Sequence, residues 1–397
     1  MYNIKATEVK PSITLELSSK AKRLKSEGKK IINLTVGEPN FCTPNYIVKG
    51  ALDGIEKGFT KYTQTSGIIE LKEEIVKKLK GFNNIKYNSS NILVSTGAKQ
   101  CLFNAIFSIV NDGDEVIIPS PYWVSYTEIV RLSGGKSVIV DTSKENEFKI
   151  DVEILDEKLT NKTKILILNN PNNPTGSVYN ESELKEIGNW AVKNNIIIIA
   201  DEIYERLTYD SKHVSIASLS EEIKNITITI SGFSKTYAMT GWRLGYCAAH
   251  EDIIKIMNAV QSHTTACANS IAQYAGYVAL RDESKHNDIT NMIDEFNNRR
   301  KKAIDFISKN SNLAINSPKG AFYIFINIES LKDKSFNGKI LNSSIDISEV
   351  LLDEFNIAVV PGIGFGNDDY IRISYAADEE LIIEGIKRII ELEKLAK

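Results

Sequence analysis

Residues Ile226–Tyr246 read ITITISGFSKTYAMTGWRLGY. The β-branched run Ile226–Ile230 suits a pleated, buried surface and predicts a core strand. Ser231-Gly232 is a turn signal that ends it. Beyond the turn stand Lys235 and, eight residues later, Arg243. A lysine just past a core strand is well placed for partial desolvation, which disfavours the ammonium form and leaves an amine nucleophile. A surface lysine would look the same, and the residues alone leave both readings open. Gly232-Phe233-Ser234-Lys235-Thr236 hints at a phosphate-binding P-loop, but that motif requires glycine immediately before the lysine, where Ser234 stands.

Working outward, strands and helices alternate from residue 91. The periodicity predicts strands Ile92–Ser95, Glu115–Pro119, Ser137–Val140, Ile165–Leu168 and Ile196–Ala200, with helices Lys99–Val110, Trp123–Leu132 and 181–194 between them. Short continuous Ile/Val runs suit a sheet covered by helices on both faces. Upstream, helices are expected over 12–29, 44–57 and Gly67–Lys80, with a strand at Ile31–Val36. Downstream, a polar helical region over 284–310, with Asn291, Asp294, Arg299 and Arg300 outward, leads to a second unit. That unit comprises strand Ala321–Ile328, helix 346–355, strands Ala358–Val360 and Tyr370–Ser374, and a final helix from 378. Asn337-Gly338 marks a surface loop.

A chain of 397 residues exceeds one ordinary core, and its 42% hydrophobic and 25% charged content is that of a soluble globular protein. A net charge of −3 gives no reason to expect nucleic acid or an anionic membrane as partner. No apolar run approaches the ~20 residues of a membrane span, and the first residues lack a signal-peptide core. Cysteines 42, 101, 247 and 267 form no CxxC pair, and the four histidines show no ligand spacing, so reduced thiols in the cytoplasm and no metal are expected.

Open sheets of this kind bind ligands beyond the carboxyl ends of their strands, so the residues there matter most. Ile92–Ser95 runs into Thr96-Gly97-Ala98-Lys99, a glycine at a helix N-terminus where free N–H groups suit an anion. Ile165–Leu168 runs into the amide-rich Asn169–Gly176. Ile196–Ala200 ends at Asp201, with Tyr204 three residues on. A carboxylate there needs a cation or donors, or it simply caps a helix. An anion cradle, an amide, a carboxylate and a lysine thus stand at four strand ends.

The segments NLTVGEPNF, KYTQTSG, STGAKQ, SPYWVSY, NNPNNPTG, ADEIY, SGFSKTYAMTGWRLGY, GAFY and YIRISYA are similar to those of the class I aminotransferases. The resemblance runs from about Lys10 to the final helix. It implies an α/β, fold-type I pyridoxal-phosphate enzyme with a mostly parallel central sheet. A large domain would span 45–285, and a smaller α+β domain 1–44 and 286–397. Lys235 would be the Schiff-base lysine and proton shuttle, and Asp201 would pair with the pyridine nitrogen. Asn173 and Tyr204 would bond the ring's phenolic oxygen, and Trp123 would stack on the ring. Gly97, Ala98, Lys99 and Arg243 would line the phosphate, with Tyr62 reaching across from a second subunit of a homodimer. Gly37 and Arg372 would hold the substrate α-amino acid. Many relatives carry a phosphate-binding serine where this chain has Gly232, so Ser231 or Ser234 would substitute.

The implied reaction is transamination between an amino acid and a 2-oxo acid, aspartate and 2-oxoglutarate first among them. Donors of aromatic type, prephenate as acceptor, a β-lyase, or a non-catalytic cofactor-binding regulator are the rival readings. Lys10-Pro11-Ser12, Gly97–Gln100 and Ser262–Ala266 resemble the bacterial and archaeal aspartate branch. There, a lysine matching Lys99 faces the distal carboxylate; the alternative is an exposed first-turn residue, although the helix dipole disfavours a lysine at that end.

Overall fold

The computed structural model describes residues 7–11 and 13–397; Ser12, part of the Lys10-Pro11-Ser12 segment, and residues 1–6 lie outside them. Helices α1 (Ile13–Ser26), α2 (Asn45–Glu56) and α3 (Ile69–Gly81) precede the main sheet. Its strands are β1 (Ile92–Ser95), β2 (Glu115–Ser120), β3 (Lys136–Asp141), β4 (Thr163–Asn169), β5 (Ile197–Asp201), β6 (Thr227–Gly232) and β7 (Gly245–Ala248), in the spatial order β1-β7-β6-β5-β4-β2-β3. All neighbours are parallel except those of β7, which runs antiparallel to both β1 and β6. The fold is thus a mixed α/β sheet flanked by helices, joined to a smaller β-containing unit.

Alternate residues of each strand serve opposite cores, as the pleat dictates. Ile165, Ile167 and Ile199 pack with Cys101, Leu102 and Ile106 of α4 (Ala98–Ile109). Leu166, Leu168 and Ile198 pack against the other layer, with Leu184, Ile187 and Trp190 of α6 (Glu181–Asn194). Each such isoleucine or leucine contributes roughly 1.5–3 kcal/mol on burial. A helix α5 (Ser125–Leu132) follows β2, and α6 opens with a capping box, Asn180 with Glu183. After β7 come α7 (Glu251–Thr264), α8 (Ser270–Asp282) and the long α9 (Asp288–Asn310).

In the smaller unit, β8 (Tyr323–Asn327), β9 (Val360–Pro361) and β10 (Tyr370–Ser374) form an antiparallel sheet with β10 in the centre. Ile32–Asn33 pairs in parallel with Ile357–Ala358, so the two ends of the chain meet there. Helices α10 (Ser344–Asp353) and α11 (Glu379–Leu395) cover it. Asn337-Gly338 is a two-residue turn with φ of +49° and +80° between short antiparallel strands.

Five expectations are corrected. Ser231-Gly232 does not end the strand by turning; both residues lie in β6 and pair with β7. Ala358–Val360 is not one strand, since Ala358 pairs with Asn33 and Val360 with Arg372 in another sheet. Of Ile31–Val36, only Ile32–Asn33 pairs as a strand. Arg299 and Arg300 are buried rather than outward. Arg299 reaches Asn40 (Nη1 to Oδ1, 2.8 Å), and Arg300 grips Asp210 at 2.6 and 2.9 Å and the Pro318 carbonyl. A charged residue on a helix carries no mark, in sequence, of a partner 90 positions away. Finally, the region from 245 to 282, left without elements above, contains β7, α7 and α8.

Candidate active site

The carboxyl ends of β1, β4, β5 and β6 open on one cleft of about 430 Å³ that β10 and the Thr35–Glu38 segment close from the smaller unit. Asp201 is the last residue of β5 and is 3% exposed. Its Oδ2 accepts the Tyr126 hydroxyl at 2.7 Å, and its Oδ1 accepts the Ile203 amide at 3.3 Å. No helix starts there, so Asp201 is not a helix cap. Burial pushes its carboxyl up to about 6, against the pull of those two donors.

On the neighbouring strand, register pairs Asn169 with Asp201. The Asn169 side chain donates to the Asp201 carbonyl (2.9 Å) and accepts from the Asn173 amide (2.8 Å), which fixes the start of the amide-rich loop. Asn173 in turn accepts Arg372 Nη1 at 2.9 Å, while Arg372 Nη2 donates to the Thr35 carbonyl at 2.9 Å. Arg372 projects from β10 and is 3% exposed. It lies 4.2 Å from the Tyr323 ring centroid and 4.9 Å from that of Phe365. Among the described residues it makes no ion pair, and its Nε has no partner. A buried guanidinium without an anion is costly.

Lys235 lies in the turn after β6, where its half-buried amine donates to the Gly37 carbonyl. Desolvation lowers its pKa to about 8. The exposed Glu38 is the strongest charge opposing that shift, and Glu38 itself accepts from Thr240 at 2.7 Å. Tyr204 is buried, with its hydroxyl 2.9 Å from that of Tyr323; burial raises its pKa well above the ordinary phenol value.

At the far end of the cleft, Gly97 has φ +82°, and a Cβ there would sit 2.7 Å from Arg243 Nη2. Arg243 is exposed, with φ +53° and Nη1 on the Thr240 carbonyl at 2.9 Å. The first N–H groups of α4, at Ala98 and Lys99, point out of the helix end beside them. The Lys99 side chain is exposed toward the cleft, with Nζ 4.8 Å from the Trp123 ring centroid. Burial by cleft walls, then the Arg243 charge, lowers its pKa. Of the two serines considered, Ser234 lines the cleft. Ser231 turns away and donates to Glu205 Oε1 at 2.6 Å.

The structure therefore brings Gly37, Ala98, Lys99, Trp123, Asn173, Asp201, Tyr204, Ser234, Lys235, Arg243 and Arg372 to one cleft, with Gly97 packed against Arg243 at its edge. Tyr62 is not brought there; it is 91% exposed in the segment between α2 and α3. Sequence reasoning missed Tyr126, Asn169, Thr35 and Tyr323. Tyr126 and Tyr323 sat inside the segments SPYWVSY and GAFY, and Asn169 opened the amide run, but nothing in sequence ranked them. Behind the cleft, Glu202, Glu205 and His213 bring their ligand atoms within 4.8 Å, a cluster that sequence spacing did not reveal. Their oxygens are taken by Lys78, Asn83, Ser215 and Ser231, so the cluster is an internal ion network.

The residues fit pyridoxal 5'-phosphate: an anion cradle in which a Cβ would collide with the Arg243 guanidinium, a buried carboxylate opposite it, and a desolvated lysine between. Residues 29–389 match the family described as aminotransferase class I and II. The chain is 44% identical over 384 residues to an aspartate aminotransferase of Bacillus subtilis (strain 168), covering 96% of this chain and 95% of the relative. It is 42% identical over 386 residues to a probable aspartate/prephenate aminotransferase of Aquifex aeolicus (strain VF5), with 97% and 96% covered. The crystal structure of the aspartate aminotransferase from Rhizobium meliloti superposes with a TM-score of 0.95 at 36% identity, covering 100% of both chains.

Proposed function

The chain belongs to the class I and II aminotransferases, whose fold implies pyridoxal 5'-phosphate as cofactor, and from that membership we propose that it moves the amino group of aspartate to 2-oxoglutarate. The observation that carries the choice concerns two of the cations that line the cleft. Arg372 is buried without an anion, and Lys99 faces the same cavity over Trp123. A dicarboxylic amino acid offers one carboxylate to each.

When bound, the cofactor supplies a ring that takes up the electrons left when an amino acid loses its α-proton. Lys235 holds the cofactor and then, as a free amine, carries that proton. Its pKa of about 8 leaves a usable neutral fraction near neutrality. Asp201 as an anion holds a proton on the ring nitrogen. Asn173 and Tyr204 steady the phenolic oxygen, and Trp123 covers the ring face. Ser234, Arg243, Gly97 and the first N–H groups of α4 (Ala98, Lys99) hold the phosphate. Arg372 forks the α-carboxylate, Gly37 meets the substrate through its backbone, and Lys99 faces the distal carboxylate.

The partner assigned is a second copy of the chain, whose Tyr62 would complete the phosphate site. Supporting this, Tyr62 is almost wholly exposed, and Val48, Leu52 and Ile55 form an exposed apolar stripe on α2. The large domain is assigned to 45–285, and the small one to 1–44 and 286–397, most of whose described core residues share one cluster with Tyr204 and Leu207. A cytoplasmic location accords with four free thiols. No described helix is long and apolar enough to cross a membrane. The name of the Aquifex relative favours prephenate as a second acceptor.

The test is a donor and acceptor panel on purified protein, with aspartate expected to exceed alanine and phenylalanine. Lys99→Ala should lose on the order of 2–5 kcal/mol of selectivity, the cost of leaving a desolvated charge unpaired. The loss should appear with aspartate and glutamate only. Equal losses for all donors would remove aspartate as the defining substrate. Release of pyruvate and ammonia would instead indicate a β-lyase.

A further inference from the structure

We propose that Tyr126 is a positioning residue that keeps Asp201 ionised and turned toward the cleft. The proposal rests on the reading of Asp201 as the partner of the ring nitrogen, but its test does not.

A carboxylate buried this deeply would ordinarily take up a proton. Four titratable groups face it: Tyr126 from α5, Glu202 and Tyr204 from its own turn, and Lys235 from the turn after β6. Glu202 opposes the charge, the Tyr204 phenol stays neutral, and Lys235 favours the charge through space only. Among the described residues, the single side chain that donates to the carboxylate is Tyr126, at 2.7 Å to Oδ2. That hydroxyl is itself held as a donor. Tyr126 is 1% exposed, and burial together with the Asp201 charge raises its phenol well above the ordinary value, so it keeps its proton.

Tyr126 is also well braced. Its ring meets Trp123 edge-on, with centroids 5.4 Å apart, and it packs in the core beneath α4. Trp123 lies under the Lys99 ammonium on the cleft side. One buried side chain thus touches both the carboxylate and the indole assigned to the cofactor ring. Oδ1 has only a longer bond, 3.3 Å, to the Ile203 amide. With Oδ2 pinned by Tyr126, Oδ1 is the atom left for a further donor.

The experiment is a carbon NMR titration of the full-length, cofactor-free chain carrying carboxyl-labelled aspartate. The Asp201 resonance is assigned by its loss in Asp201→Asn. In the parent it should titrate near 6. In Tyr126→Phe the midpoint should rise by about one to two pH units, the effect of losing one hydrogen bond to a charged group. An unchanged midpoint in a protein that still melts cooperatively overturns the proposal. Should Tyr126→Phe not fold, uniform fluorotyrosine labelling of the parent serves instead. The more acidic hydroxyl donates more strongly and should lower the midpoint; no movement again overturns the proposal. Failure of the reading of Asp201 as the partner of the ring nitrogen would appear separately, as transamination that survives Asp201→Asn.

Discussion

Asp201 carries a conflict between stability and chemistry. Its carboxyl titrates near 6 in the folded chain but at an ordinary carboxylate value when unfolded. The folded state therefore binds more protons between those two values, and stability falls as pH rises through that window. The cost is absent below the unfolded pKa and fully present above about 6. Asp201→Asn should therefore stabilise the cofactor-free protein at neutral pH by on the order of 1–3 kcal/mol, a gain that fades as the solution is acidified. Thermal melts of both proteins from acid to neutral pH check this. The same substitution should strongly reduce α-proton removal in the reconstituted enzyme. A neutral-pH melt below that of the parent would mean that burial does not burden Asp201.

Among elements, the junction of β1 with α4 leaves no room for a side chain. Gly97 adopts a φ that side chains rarely take, and a Cβ would press on the Arg243 guanidinium. Gly97→Ala should cost about 1 kcal/mol in backbone strain, leave the fold intact, and weaken pyridoxal 5'-phosphate binding about tenfold or more, as measured by fluorescence titration. Undiminished affinity would mean that Arg243 is free to move. At this scale most of the sheet was legible in the sequence, because runs such as Ile196–Ala200 are apolar on both faces and end at polar residues. β7 was not. Gly-Tyr-Cys-Ala has only four residues and no β-branched side chain, and its place comes from pairing with β1 and β6. The site was legible where a polar residue followed a strand, as with Asp201. It was illegible where a core aromatic makes one polar contact, as with Tyr126 and Tyr323, since their rings bury like any others.

For the whole molecule, the isolated Tyr62 decides. It lies outside its own cleft, so its assigned role requires a second copy. Sedimentation should show a dimer. Tyr62→Phe should lower cofactor affinity several-fold, although the residue lines no part of its own cleft. Mixed dimers of Tyr62→Phe with Lys235→Ala should hold one doubly altered site and one intact site. Cofactor binding by the mixture should then be biphasic, with a tight fraction of parental affinity; a fully active monomer would contradict this.

The antiparallel strand has one more consequence. The chain leaves the sheet at Gly232 and re-enters beside it at Gly245, with the two residues paired in register. Lys235 and Arg243 therefore belong to a single excursion of the backbone, with the exposed Gly241 between them. Cutting at Gly241 would divide the proposed grip on the cofactor, giving Lys235, the proposed covalent anchor, to one fragment and the Arg243 guanidinium to the other. Neither half alone could retain the chromophore. Two separately expressed fragments should regain it only when β7 slots back between β1 and β6, so that the yellow colour reports fragment complementation.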